Sequence, residues 1–196
     1  MADKFGWLTN RSGVLPRQWC VGLNRASAEF VSPIRNIAAL LLALLAQPAA
    51  ARGTVIEASG AWAAIDYGTA CEVRARSVRV ASKGKVQATA GFAFSADHRR
   101  WGEFGARLSR VPRAGSSVML TIGGRQFLLA ALGDWAWSRG PAQEQAMIAM
   151  SRTAQAMRVE GRDQAGRRFH DDYSLAGAPT AIDAAAARCA GKIARP

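Results

Sequence analysis

Tyr173-Ser174-Leu175-Ala176-Gly177-Ala178-Pro179-Thr180-Ala181-Ile182-Asp183-Ala184-Ala185-Ala186-Ala187-Arg188-Cys189 reads as a strand that leaves through Gly177 and Pro179 into a short helix. Thr180 suits the N-cap, with Asp183 three residues on to complete an acidic capping box, and Gly191 suits a left-handed close. Ile182, Ala186 and Cys189 stand at i, i+4 and i+7, so the helix carries them on one face and Cys189 points inward. Its expected partner is Cys71, because the third cysteine, Cys20, lies in a segment expected to be removed. Joining the two closes a loop of more than one hundred residues. Such a bridge constrains the unfolded chain by about 4 to 5 kcal/mol. Two free thiols, structural or catalytic, are the competing reading.

The chain before this helix alternates. Phe169, Asp171, Tyr173 and Leu175 share one face of an extended run, and His170 and Asp172 share the other. Asp163-Gln164-Ala165-Gly166 turns this run back onto Met157-Arg158-Val159-Glu160-Gly161. Pro141 opens a helix whose apolar stripe runs through Met147, Met150, Ala154 and Met157. Ser117–Ile122 and Arg125–Ala130 flank Gly123-Gly124, the pattern of a two-residue hairpin.

Val86, Ala88, Ala90, Phe92 and Phe94 keep a period of two, as do Phe104, Ala106 and Leu108. Glu72–Val80 sets Arg74 and Arg76 against Val73 and Ala75, a half-exposed strand, and Ala61–Asp66 is a shorter one. Seven to nine strands with closely spaced turns predict a mainly β fold, an antiparallel β-sandwich or partial barrel with two covering α-helices and one intramolecular disulfide.

Upstream, Ile37–Ala46 is an uncharged apolar run with Arg35 before it and Gln47-Pro48-Ala49-Ala50-Ala51 after it. A basic residue, an apolar stretch and small residues at the cut make a signal peptide over 31–52, cleaved near Ala51, in a chain bound for the periplasm or secretion. At half the length of a membrane span, the run suits cleavage better than an uncleaved anchor, and the mature chain is expected to have no transmembrane helix. Residues 1–30 are expected to be a non-structural leader extension, with Val31 a possible alternative start, and residues 53–196 a single β-rich domain.

That domain holds twenty Lys and Arg against twelve Asp and Glu, a net charge of +8. Such a surface suits an anionic envelope component or a protein partner, although charge also serves solubility alone. Nucleic acid is not the expected partner, because no basic cluster is interleaved with stacking aromatics. The candidate binding surface combines Arg74 and Arg76 with Trp135 and Trp137. Core packing is the commoner use of such a Trp pair; stacking on a sugar or lying at a membrane surface is the other.

No nucleophile elbow, zinc-protease helix, phosphate loop or dinucleotide fingerprint occurs in the chain. No metal and no cofactor is expected. His170 and Asp172, two apart on one strand, could share a proton or a metal, and His98 or another carboxylate would complete that polar site. They would serve an envelope hydrolase, the alternative to a non-enzymatic binding protein.

With a signal peptide, Trp62 shortly before Cys71, the Met157-Arg158-Val159 strand, and Tyr173-Ser174-Leu175 with Gly177 leading into a terminal helix, the chain resembles the invasion-associated locus B family of exported bacterial proteins. The resemblance implies a small periplasmic or surface-exposed β-rich domain without catalytic residues to carry over. The chain departs from that family in lacking further mid-domain cysteines.

Overall fold

Alternation becomes burial on the inner side of the strands, where Phe92, Phe94, Phe104, Leu120, Ile122 and Tyr173 are all nearly inaccessible. The computed structural model describes residues 53–192; the leader, the signal segment with its cleavage position and Cys20 lie outside the described residues. In chain order the elements are β1 (Thr54–Ser59), β2 (Trp62–Asp66), β3 (Ala70–Arg76), β4 (Thr89–Ser95), β5 (Trp101–Arg107), β6 (Val118–Ile122), β7 (Arg125–Leu132), β8 (Trp135–Trp137), α1 (Pro141–Ser151), β9 (Ala156–Arg162), β10 (Arg168–Ser174) and α2 (Ala178–Ala190).

The strands form one antiparallel sheet in the order β1-β2-β3-β4-β5-β8-β7-β6-β9-β10, with β1 and β10 as its edges. The fold is therefore mainly β with two covering helices, as expected, and the sheet is not closed. It is drawn together beyond its pairing register. Val78, just after β3, donates its N–H to the Asp172 carbonyl of β10 at 2.8 Å, and the Trp62 indole donates to the Ser174 carbonyl at 2.8 Å.

β1 is the strand that the period of two does not reveal. Only Ile56 packs on the core, and the register slips between Val55 and Glu57, so no alternation survives in its sequence. The β6–β7 hairpin is as predicted: Gly123 and Gly124 both have positive φ, 53° and 85°, which a two-residue primed turn requires.

α2 crosses β1 to β4, burying Ala178, Ala181, Ile182, Ala185 and Cys189. Cys71 and Cys189 are bonded, with Cα atoms 5.8 Å apart. The helix limits differ from the capping-box expectation. It starts at Ala178 behind Gly177 (φ 87°), Thr180 lies inside it, and Gly191 stays right-handed at φ −71°. Tertiary contact sets that start: Gly177 lies against the Ser59 carbonyl and Gly60 against the Ala176 carbonyl, so closely that a side chain at either would strike backbone. Asp183, freed from capping, forms two hydrogen bonds with Arg152, of 2.5 and 3.0 Å.

α1 packs on β5 and β6 through buried Met147, but it ends at Ser151. The expected stripe therefore stops short. Ala154 lies in the following turn, and Met157 is a buried residue of β9.

Candidate functional site

Residues paired across an antiparallel sheet point to the same side. The inward row is Trp62–Ala75–Ala90–Ala106–Ala136, every member buried. β8 thus gives its alanine to the core and turns both indoles outward, which corrects the core reading of Trp135 and Trp137. The outward rows on either side of it are Arg74–Gly91–Gly105–Trp137 and Arg76–Thr89–Arg107–Trp135.

All four expected surface residues accordingly share one face, in two rows, arginines at one end and indoles at the other. With strands about 4.8 Å apart, each row spans roughly 14 Å. Its floor is low. A side chain at Gly91 would strike the Val73 carbonyl, and the Trp137 ring lies over Gly105. Arg74 is held by Glu72 at 2.5 Å, and Arg107 by Asp134 at 2.9 Å. Arg76 has no carboxylate partner among the described residues.

The second row runs into one end of the sheet, where four segments meet. The arm 76–88 brings Arg76, Arg79, Lys83 and Lys85, and it touches β10 through Val78. The loop 107–117 brings Arg107, Arg110 and Arg113; the Ser109 N–H donates to Asp171 Oδ2 at 3.0 Å, and the Arg113 N–H donates to the Arg162 carbonyl at 2.8 Å. The turn 162–168 brings Arg162, Arg167 and Arg168, and Leu132–Trp135 joins through the Asp134 carbonyl, which accepts from the Leu108 N–H at 2.7 Å.

These segments carry ten basic side chains, all exposed, and two acids, Asp134 and Asp163. The ten basic and ten acidic residues elsewhere in 53–196 cancel, so the whole +8 belongs to this rim. Asp163 is taken up locally, by the backbone N–H groups of Ala165 and Arg167 and by the side chains of Arg167 and Arg110.

Asp171 lies just beneath, 4 % exposed and facing inward, and burial pushes its carboxyl up despite the Ser109 bond. On the same inward face, burial also raises the Tyr173 hydroxyl, which has no hydrogen-bond partner among the described residues.

The polar site meets only in part. His170 Nε2 stands 3.4 Å from Asp172 Oδ2, both accessible, and Asp172 Oδ1 accepts from Arg158 Nε at 2.6 Å, which pushes the guanidinium up. Glu160 pairs across from His170, and Thr121 across from Arg158, beside an open groove of about 590 Å³. His98 does not join them. It sits at φ 57° on the β4–β5 turn, its ring stacked on Trp101 at 4.1 Å. That turn adjoins the start of β3, where Ala70 pairs with Ser95, whereas Asp172 meets Val78 beyond the strand's other end. A seven-residue strand, roughly 20 Å long, lies between. Among the described residues no three His, Cys, Asp or Glu side chains could hold a metal ion.

Nine rim cations escaped the sequence reading: Arg79, Lys83, Lys85, Arg107, Arg110 and Arg113, and the three of the 162–168 turn. A signal for the first six was present, since neither 73–96 nor 104–133 contains a single acidic residue. No family model matches the chain, and no curated protein or solved structure matches it.

Proposed function

We propose that this is an exported, non-enzymatic protein that holds an anionic envelope component or partner against its basic rim, rather than the envelope hydrolase that His170 and Asp172 would serve. One observation carries this: four segments far apart in sequence are bonded into a single end that holds all of the domain's net charge. Such a concentrated field draws anionic partners and orients them. Seven of its cations, Arg76, Arg79, Lys83, Lys85, Arg113, Arg162 and Arg168, have no carboxylate partner among the described residues, so they stand available.

Export is supported by the Cys71–Cys189 bridge, which belongs to oxidising compartments, and by the leader over 31–52. No helix among the described residues is long and apolar enough to cross a membrane. A periplasmic or surface location is also what the resemblance to the invasion-associated locus B family implies.

The test is retention of protein recovered from an exporting host on an immobilised polyanion, followed through a salt gradient. R76E/R79E/R113E should weaken binding at least a hundredfold, since each of the three arginines lost is worth about 1 kcal/mol near an anionic surface. R99E/R125E/R139E makes the same charge change outside the rim and should cost little. Equal losses in the two variants would mean that net charge alone acts, and the rim would not be a site.

A further inference from the structure

We infer that the anionic partner is a lipid surface, an inference that rests on the binding role just proposed and goes beyond it. The charge of the rim is mixed with apolar side chains. Among the described residues seven large hydrophobic side chains are exposed, and five of them, Val78, Val80, Val111, Leu132 and Trp135, lie in three of the four rim segments. Val80 is 83 % exposed and Val78 66 %, with Arg79 between them. A soluble polyanion gives such valines nothing to contact. The interface of an anionic bilayer takes both kinds of group: lysine and arginine meet the phosphates, aliphatic side chains enter between headgroups, and tryptophan settles at that depth.

The arm that carries the valines is built for such a place. Gln87 closes it from inside, accepting from the Ala81 N–H at 2.8 Å and donating to Ser77 Oγ at 2.8 Å and to the Arg79 carbonyl at 3.2 Å. Ser77 Oγ also donates to the Arg79 carbonyl at 3.0 Å, and the Ser77 N–H to the Ala88 carbonyl at 2.9 Å. These bonds hold the stretch 77–81 in one conformation, so presenting its two valines to a surface costs little further ordering. Lys83 and Lys85 sit at the arm's tip, where the Lys85 N–H closes the turn on the Ser82 carbonyl at 3.0 Å.

The experiment compares three ligands for the protein recovered after export: phosphatidylglycerol in phosphatidylcholine vesicles, phosphatidylcholine vesicles alone, and soluble polyphosphate. Binding is read by co-sedimentation for the vesicles and by competition for polyphosphate. The intact protein should bind the anionic vesicles and not the neutral ones. V78S/V80S keeps every charge and changes only exposed positions; it should weaken vesicle binding about tenfold while leaving polyphosphate unaffected. L132S repeats the measurement from a different segment, in case the arm variant alters the fold. If the serine variants bind vesicles as well as the parent does, the lipid inference falls and the anionic-binding role stands, with a polymer or nucleic acid as partner. If the intact protein binds neither anionic ligand, both fall.

Discussion

The end of α2 and the basic rim hold cations in opposite ways. At the first, Asp66 at the end of β2 accepts from Arg188 Nε at 2.7 Å, from Lys192 Nζ and from the Gly68 N–H, while Lys192 also donates to the Gly68 carbonyl. The Cys71–Cys189 bridge lies beside it, Cys71 being the register partner of Asp66. At the rim, ten cations share two carboxylates. The same residue types therefore serve the fold in one place and stand in water in the other. A paired charge lowers the free energy of one conformation, whereas an unpaired cluster raises it by self-repulsion and is relieved only by a partner. Cations with no structural task are where a function is to be sought.

The largest effect should come from cutting the structural end. C71S/C189S, or reduction of the parent, should lower stability to denaturant by about 4 kcal/mol. Polyanion binding by the fraction that remains folded should be unchanged. Loss of binding in protein still folded by circular dichroism would break the separation, because the rim would then depend on the far corner.

Next in size is D66N. The Lys192 ammonium, then the Arg188 guanidinium and the Gly68 N–H, hold the Asp66 carboxyl well below the usual carboxylate range. A depressed folded value means stability that is present above the unfolded value near pH 4 and is lost as pH falls from there through the folded one. D66N should therefore cost about 2 kcal/mol near neutral pH and progressively less in acid, measured as urea midpoints across pH.

The structural end was largely legible in the sequence. Helical spacing set Cys189 on the inner face, export chemistry left Cys71 as its partner, and the period of two in Phe169–Leu175 gave the inward face of β10. Local spacing and the count of cysteines left after export decide all of these. The helix start was not legible, since the close approach of Ser59 to Gly177 outweighs the capping preference of Thr180. Nor was the rim. Arg79, Arg113 and Arg168 are neighbours only because Val78 reaches Asp172 and Arg113 reaches Arg162, bonds between segments tens of residues apart. Trp135 and Trp137 read as core because their alternation was clear while its phase was not. Ala136 fixes the phase, through a row of alanines drawn from three other strands. His98 and His170 looked like partners for a related reason: a list of polar residues carries no record of which end of a strand each one occupies.

The smallest effect, and the one that bears most directly on the rim, belongs to Asp171. It is the third buried aspartate, after Asp66 and Asp163, whose backbone partner lies in a loop, but no cation side chain hydrogen-bonds to it; its hydrogen bond is from the Ser109 N–H. Burial raises its carboxyl rather than lowering it. The sign is thus the reverse of that for Asp66: stability is present below the unfolded value and is lost as pH rises through the folded one. Asn in its place keeps an oxygen for Ser109 and does not ionise. D171N should match the parent in acid and exceed it by up to about 1 kcal/mol near neutral pH, the gap opening as pH rises, in the same urea series. A variant less stable than the parent at neutral pH would mean that the Asp171 charge already balances the arginines above it. The rim's surplus would then be smaller than its side chains suggest, and the contrast with the α2 corner would be one of degree.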